Sequence, residues 1–440
     1  MKKEKNGFSL KTLSATLVSL GCDKNRVDAE KMLYKLTQMG FKISTSVHEA
    51  DLIIINTCAF IQSAIEESER TIKETFTIKK PKAKIIVTGC YAQRFYDKAK
   101  ELFPYTDLIL KLNQNETLEE YVYKLYNQEK QELPCNKLDR LVSTPRHYAY
   151  LKISDGCNNF CTYCTIPFIR GRYRSEKMED LLEQVKVLAE NGTKEIILIA
   201  QDVTSYGKDL YNEPKLVELI QEISKISGIE CIRLHYCYPE LVDDRLIQEI
   251  VNNPKVAKYI DIPLQHISDK ILKAMNRKGD SKLIYDLLKK LKENNIVVRS
   301  TFIVGFPTET EKEFKELVNF LKSEELKYVG FFAYSCEENT KASKMEQVPE
   351  KVKQQRLKKI QKVQTKILNK IQKAEKGKIV KAICDGHVKD GVYMFRDVNS
   401  SPEVDTVIYA YSKERLRLGE FCNIKIRKQI GIDLEGDIQK

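Results

Sequence analysis

Short apolar runs alternate with helix-period segments over the first third of the chain. Runs at 15–20, 52–55, 85–88 and 108–110 have the length and β-branched content of buried strands, and the segments between them repeat apolar residues at helical spacing. That order is the sequence form of a parallel α/β sheet. A polar stretch at 130–145, holding Pro134 and Pro145, reads as a linker. The alternation resumes over 148–334, with strands expected at 149–153, 195–199, 231–234, 259–262, 297–303 and 328–333. Six such units predict a partial or complete β/α barrel, whose site belongs at the C-terminal ends of its strands.

Residues 349–373 read as one basic helix. Its apolar positions, Val352, Leu357, Ile360, Val363, Ile367 and Ile371, are amphipathic but irregular, which suits a helix lying on the barrel. After Gly377 the pattern becomes short and β-like, at 379–383, 392–395, 406–410 and 420–427, and predicts a small antiparallel β-barrel. Such modules bind RNA or protein, and the pattern leaves both open.

Charge and composition narrow the partners. The 440 residues carry 74 Lys and Arg against 62 Asp and Glu, a formal net charge of +12. This favours an acidic partner such as RNA or a ribonucleoprotein, with a solvated Lys-rich surface as the plainer alternative. No run approaches the ~18 apolar residues of a membrane span, and the first residues lack a signal-type cleavage site, so a cytoplasmic protein without membrane contact is expected. In a reducing compartment twelve Cys argue for metal ligation or thiol chemistry rather than disulfides.

The placement of those cysteines is informative. Gly21-Cys22, Thr57-Cys58 and Gly89-Cys90 each follow one of the first three strong apolar runs. The carboxyl ends of parallel strands form one edge, where ligands bind, so Cys22, Cys58 and Cys90 are expected to converge on a shared metal site. Taken singly, each reads as a small buried hydrophobe, and it is the threefold repeat of the placement that favours the metal site. In the barrel region GCNNFCTYC places Cys157, Cys161 and Cys164 with three and then two residues between them, directly after the first strand. Three thiolates on a tight loop hold three irons of a 4Fe-4S cluster and leave the fourth open to S-adenosylmethionine. Zinc is the weaker reading, because no fourth Cys or His follows at finger-like spacing.

This spacing, with Tyr163 just before the last Cys, resembles the signature of the radical S-adenosylmethionine superfamily. The resemblance implies that Tyr163 lies over the cofactor's adenine; ordinary loop packing is the alternative. Taken with the domain order, the chain resembles the methylthiotransferase family. That implies a Rossmann-like parallel α/β domain (10–132), a radical S-adenosylmethionine barrel (143–373) and a TRAM-like antiparallel β-barrel (376–440). It also implies that Cys22, Cys58 and Cys90 hold a second 4Fe-4S cluster. S-adenosylmethionine is then used twice, once to methylate a sulfur bound at the N-terminal cluster and once to generate a 5'-deoxyadenosyl radical. Gln201 and Asp202 follow the second barrel strand, making Gln201 a candidate cofactor contact. Arg299, early in a strand, either reaches the cofactor carboxylate or pairs with an acid.

The family divides between enzymes that modify a tRNA adenosine beside the anticodon and a branch that modifies a ribosomal protein. SLGCDKNRVDAE, HYAYLKISDGC, RLHYCYP and DIPLQHISDKIL resemble the latter. The expected activity is transfer of a methylthio group to the β-carbon of an aspartate in small-subunit ribosomal protein twelve, free or on the ribosome. An electron donor protein is implied, and the C-terminal module is a candidate for RNA contact, with protein contact left open. Two places depart from the family pattern. Cys336, Asn339 and Lys341 stand where it often has Pro, Gly and Pro, and Thr406 replaces a frequent Gly; these put local loop shape in doubt. His235 and His266 are expected to be structural, and Cys135, Cys231, Cys237, Cys336, Cys384 and Cys422 to be packing residues.

Overall fold

The computed structural model describes residues 10–134, 138–389 and 391–439, so Cys135 lies outside the described residues. The chain divides into two compact units. The first runs to Ser143 and includes Thr165–Arg172; the second comprises Thr144–Cys164 and everything from Tyr173 onward.

In the first unit five parallel strands, β1 (Ser14–Ser19), β2 (Lys42–Ile43), β3 (Leu52–Thr57), β4 (Lys84–Gly89) and β5 (Leu108–Ile109), lie in the order β2-β1-β3-β4-β5. The central strands are buried on both faces, as their unbroken apolar runs required. Leu52, Ile54 and Ile86 pack on one side with Met32 and Leu36 of helix α1 (Asp23–Gln38). Ile53, Ile55, Ile85 and Val87 pack on the other with Ile65 and Ile72 of α2 (Gln62–Ile78). In this strand order the direction of winding reverses between β1 and β3, which opens a crevice at their carboxyl ends. The expected linker is strapped down where it is described: buried Glu30 accepts from Arg140 Nη1 at 3.1 Å and from the Ser143 backbone N–H at 2.8 Å.

The second unit begins with β6 (Tyr148–Lys152), followed by a short ribbon of β7 (Ser154–Asp155) and β8 (Arg174–Ser175). Strands β9 (Glu195–Ile199), β10 (Cys231–Leu234), β11 (Val256–Asp261), β12 (Val297–Val304) and β13 (Tyr328–Ala333) complete a parallel sheet ordered β13-β12-β11-β10-β9-β6. It is a partial barrel with β6 and β13 as its edges. Both edges nevertheless reach one loop, since Tyr148 Oη donates to Glu403 at 2.9 Å and Tyr328 Oη lies 2.6 Å from Ser400 Oγ, so the sheet is curled.

The helix Glu350–Ala374 lies along this barrel, donating from Arg356 Nη1 to Glu309 at 2.7 Å and from Gln364 to the Leu326 carbonyl at 2.8 Å. Strands β14 (Ile379–Lys389), β15 (Val392–Asp397), β16 (Ile408–Tyr411), β17 (Phe421–Ile430) and β18 (Asp433–Gln439) then close a small barrel. One expectation is corrected here. The barrel is not wholly antiparallel, because β16 and β18 pair in parallel, and β18 was absent from the sequence-derived strands. The β15–β16 loop enters the larger barrel. Val398 O accepts from Arg233, Ser401 Oγ lies 2.9 Å from His235 Nε2, and Asp405 accepts from Tyr259 at 2.8 Å.

Candidate iron–sulfur sites

In the first unit the three expected cysteines sit at successive strand ends. Cys22 caps α1, Cys58 follows β3 directly, and Cys90 follows β4 as the first residue of the short helix α3 (Cys90–Arg94). Cys22 is exposed, Cys58 half-buried and Cys90 buried. Glycines permit the close approach. Gly21 has φ +100°, and a Cβ there would stand 3.1 Å from Cys58 Sγ; Gly89 has φ +96°, and a Cβ there would meet Thr57 O at 2.4 Å. Burial pushes the Cys58 thiol up, with partial relief from the Phe60 and Ala59 backbone N–H groups. Burial likewise takes Cys90 to about 12 against the pull of Arg170, and each of these two thiols feels the charge of Cys22.

In the second unit the loop after β7 carries Cys157, Cys161 and Cys164, the first two buried and the third half-buried. Polar anchors hold the loop. Asn276 Nδ2 donates to the Asn159 and Phe160 carbonyls at 3.2 and 3.0 Å, and Asn159 Nδ2 donates to buried Asp202 at 3.2 Å. The Thr162 backbone N–H donates to Met275 O and its hydroxyl to Ala274 O. Burial raises Cys157 to about 11, eased by the Asn159 N–H. Cys161 Sγ lies 3.3 Å from Tyr238 Oη and 4.0 Å from Arg277 Nη1, whose guanidinium stacks 4.1 Å from the Tyr238 ring centroid.

Both sets fit a cluster by their chemistry. Burial disfavours the bare thiolates of Cys58, Cys90 and Cys157, whereas iron binding displaces thiol protons, and each set has one buried arginine beside it. Among the described residues no trio of His, Cys, Asp or Glu closes on one point as ligands of a single ion would. A multi-iron cluster takes one thiolate per iron, so its ligands stay apart.

Of the other expected residues, Tyr163 packs with Ile271, Met275, Phe306 and Tyr334, its ring 6.4 Å from that of Phe306. Gln201 donates to Asp155 at 3.0 Å, and its buried Oε1 has no hydrogen-bond partner. Arg299 lies 3.9 Å from Asp405 of the inserted loop. His235 bonds Ser401, and His266 lies 3.4 Å from buried Glu309. Cys231, Cys237 and Cys384 are buried and Cys422 is half-buried, but Cys336 is exposed and packs into no core, which corrects its expected role. Asn339 takes φ +67°, a conformation Asn tolerates where Gly was usual, and Thr406 Oγ1 accepts from Gln372 at 3.1 Å. Sequence reasoning missed Arg170, Arg277 and Tyr238. Only the fold brings them to the thiols, and no local spacing marks them.

Comparison with known proteins places these features. The Radical SAM superfamily model matches residues 151–321, the TRAM domain model 377–438, and the model described as Uncharacterized protein family UPF0004 matches 14–111. All six cluster-candidate cysteines fall inside the first and last of these ranges. Among solved structures, a radical S-adenosylmethionine methyltransferase, TsrM, from Kitasatospora setae shares 14% identity over 74% of this chain and 75% of its own, with a TM-score of 0.55. The cobalamin-dependent radical enzyme OxsB shares 16% identity over 80% of this chain and 56% of its own, with a TM-score of 0.52. These likenesses show the fold. Among curated proteins, the ribosomal protein uS12 methylthiotransferase RimO of Clostridium botulinum strain Okra is 43% identical over 97% of this chain and 98% of its own. The RimO protein of Acetivibrio thermocellus is 43% identical over 96% and 97%. With identity of that level running nearly end to end, the chain belongs to the RimO family of ribosomal protein uS12 methylthiotransferases.

Proposed function

We propose that this protein transfers a methylthio group to the β-carbon of an aspartate of ribosomal protein uS12, using two 4Fe-4S clusters and S-adenosylmethionine. The observation that carries the reading is the near full-length identity to uS12 methylthiotransferases. Cys157, Cys161 and Cys164 would hold the cluster that would supply the electron for reductive cleavage of the S-adenosylmethionine sulfonium. The chain's own residues prepare that place. Asn276 and Asp202 fix the loop, and Arg277 sets positive charge beside Cys161. Tyr163, braced edge-to-face by buried Phe306, offers its ring to the adenine, and the unpartnered Gln201 oxygen offers an acceptor to the cofactor. Arg299 keeps its two readings, as contact for the cofactor carboxylate or as partner of Asp405. The N-terminal trio holds the second cluster, and an external donor protein provides electrons.

RNA contact through the TRAM region rests on a groove of about 540 Å³ lined by Asn369, Lys373, Lys376, Lys428 and Gln429, whose side chains suit phosphate. Among the described residues no helix is long and apolar enough to cross a membrane. The deciding experiment offers reconstituted enzyme both uS12, free or within small subunits, and tRNA, under reducing, oxygen-free conditions. Mass spectrometry should find the methylthio group on the protein. Modification of tRNA alone would overturn the assignment.

A further inference from the structure

The N-terminal thiols share their surroundings with a buried cation from a distant part of the sequence. Arg170 stands six residues after Cys164, in the segment Thr165–Arg172 that belongs to the first compact unit. Its side chain is 2% exposed. Nη1 donates to Asp28 Oδ2 at 2.8 Å, and Nη2 donates to Asn25 Oδ1 at 2.6 Å while lying 3.7 Å from Cys90 Sγ. Asn25 is itself fixed, because its Nδ2 donates to the Leu20 carbonyl at 2.8 Å and the Thr57 carbonyl at 3.0 Å. Those carbonyls belong to the segments that lead into Cys22 and Cys58. One amide, aligned by two strand ends, therefore holds the guanidinium against the third thiol. The planar fork of arginine serves Asp28, Asn25 and Cys90 together, as a lysine ammonium would not.

We propose that Arg170 is a positioning residue for the N-terminal cluster, fixing a positive charge against the Cys90 sulfur and so setting the cluster's reduction potential. This rests on the reading of Cys22, Cys58 and Cys90 as cluster ligands. Iron–sulfur potentials follow net charge and hydrogen bonds to the sulfurs, and a cationic donor at Cys90 favours the more negative, reduced form. Asp28 works in the opposite sense, offsetting part of that charge from the far side of the guanidinium. The two residues thus bias the same centre in opposite directions. A purely structural Arg170, one that only docks its segment, would not.

The test uses the full chain with Cys157, Cys161 and Cys164 changed to Ala, reconstituted without oxygen so that the N-terminal cluster is held alone. Iron per chain and the midpoint from an EPR-monitored redox titration are measured together. The parent should hold about four irons. Arg170→Gln should keep them with a lower midpoint, Arg170→Lys should fall between Arg170→Gln and the parent, and Asp28→Asn should rise above the parent. If Arg170→Gln misfolds, the rise in Asp28→Asn decides alone. Coincident midpoints at full iron load overturn the role of Arg170 and leave the ligand assignment standing. A parent without iron overturns the ligand assignment and this inference with it.

Discussion

Replacing Arg396 by methionine tests how the small barrel is fastened to the large one. The Arg396 side chain is 1% exposed. It donates to Glu195 at 2.6 and 3.3 Å, to Asp385 at 2.9 and 3.3 Å, and to the Ser400 carbonyl at 3.0 Å. Methionine keeps an unbranched stem and removes the charge. Glu195, wholly buried at the start of β9, then retains Arg233, whose Nε donates at 2.7 Å. Burial alone would push Glu195 up, but Arg396 and Arg233 together bring its carboxyl from an ordinary 4.5 down to about 2. That difference corresponds to roughly 3 kcal/mol of stabilisation at neutral pH. That figure belongs to both arginines together; removing one partner of a buried pair typically costs ~3–5 kcal/mol. Hydrogen exchange read by mass spectrometry on the full chain localises the effect, since local opening reports its own free energy. Protection of β9, β15 and the loop between β15 and β16 should fall by roughly two to three and a half orders of magnitude, while β3 in the other unit is unchanged. Adding Glu195→Gln to the Arg396→Met chain should deepen the loss rather than relieve it, because Arg233, buried and bonded to Glu195, is then left without its carboxylate. Protection within about threefold of the unmodified chain across β9 and β15 would refute the argument.

Two further outcomes follow from the same kind of reasoning. The folded carboxyl of Glu195 is depressed, so its contribution is complete above the unfolded value of 4.5 and is lost as pH falls toward about 2. Thermal unfolding of the second unit should therefore drop steeply across that window, and less steeply in Glu195→Gln, which has already lost the interaction. Gly89→Ala would force a Cβ to 2.4 and 2.5 Å from the Thr57 backbone, displacing Cys90. Gly192→Ala, also at φ +96° but with nothing within 4 Å, carries only the backbone strain of ~1–2 kcal/mol. Iron analysis should find about half the normal load in the first variant and the full load in the second.

What was legible in the sequence follows from which interactions are local. The strand at Glu195–Ile199 was placed to the residue because an unbroken β-branched run between helical patterns has one physical solution, a strand covered on both faces. The strand-end placement of Cys22, Cys58 and Cys90 was legible because equivalent strand ends repeat in the sequence and so repeat in space. Strand β18 was missed for the opposite reason. Its sequence DLEGDIQ has poor strand propensity, and Gly436 would ordinarily weaken a strand. Yet a Cβ at Gly436 would stand 2.5 Å from Ile424 Cγ2 and 2.7 Å from Lys425 O, so close packing on β17 demands the residue that propensity penalises. Arg170 and Arg396 were invisible on similar grounds. Asn25 and Asp28 lie 145 and 142 residues from Arg170, and Glu195 lies 201 residues from Arg396. A charged side chain in a sequence reads as surface until the fold supplies its partner. The cysteine motifs therefore mark the candidate cluster sites in the sequence itself, while the buried arginines beside them are brought there only when the chain has closed on itself.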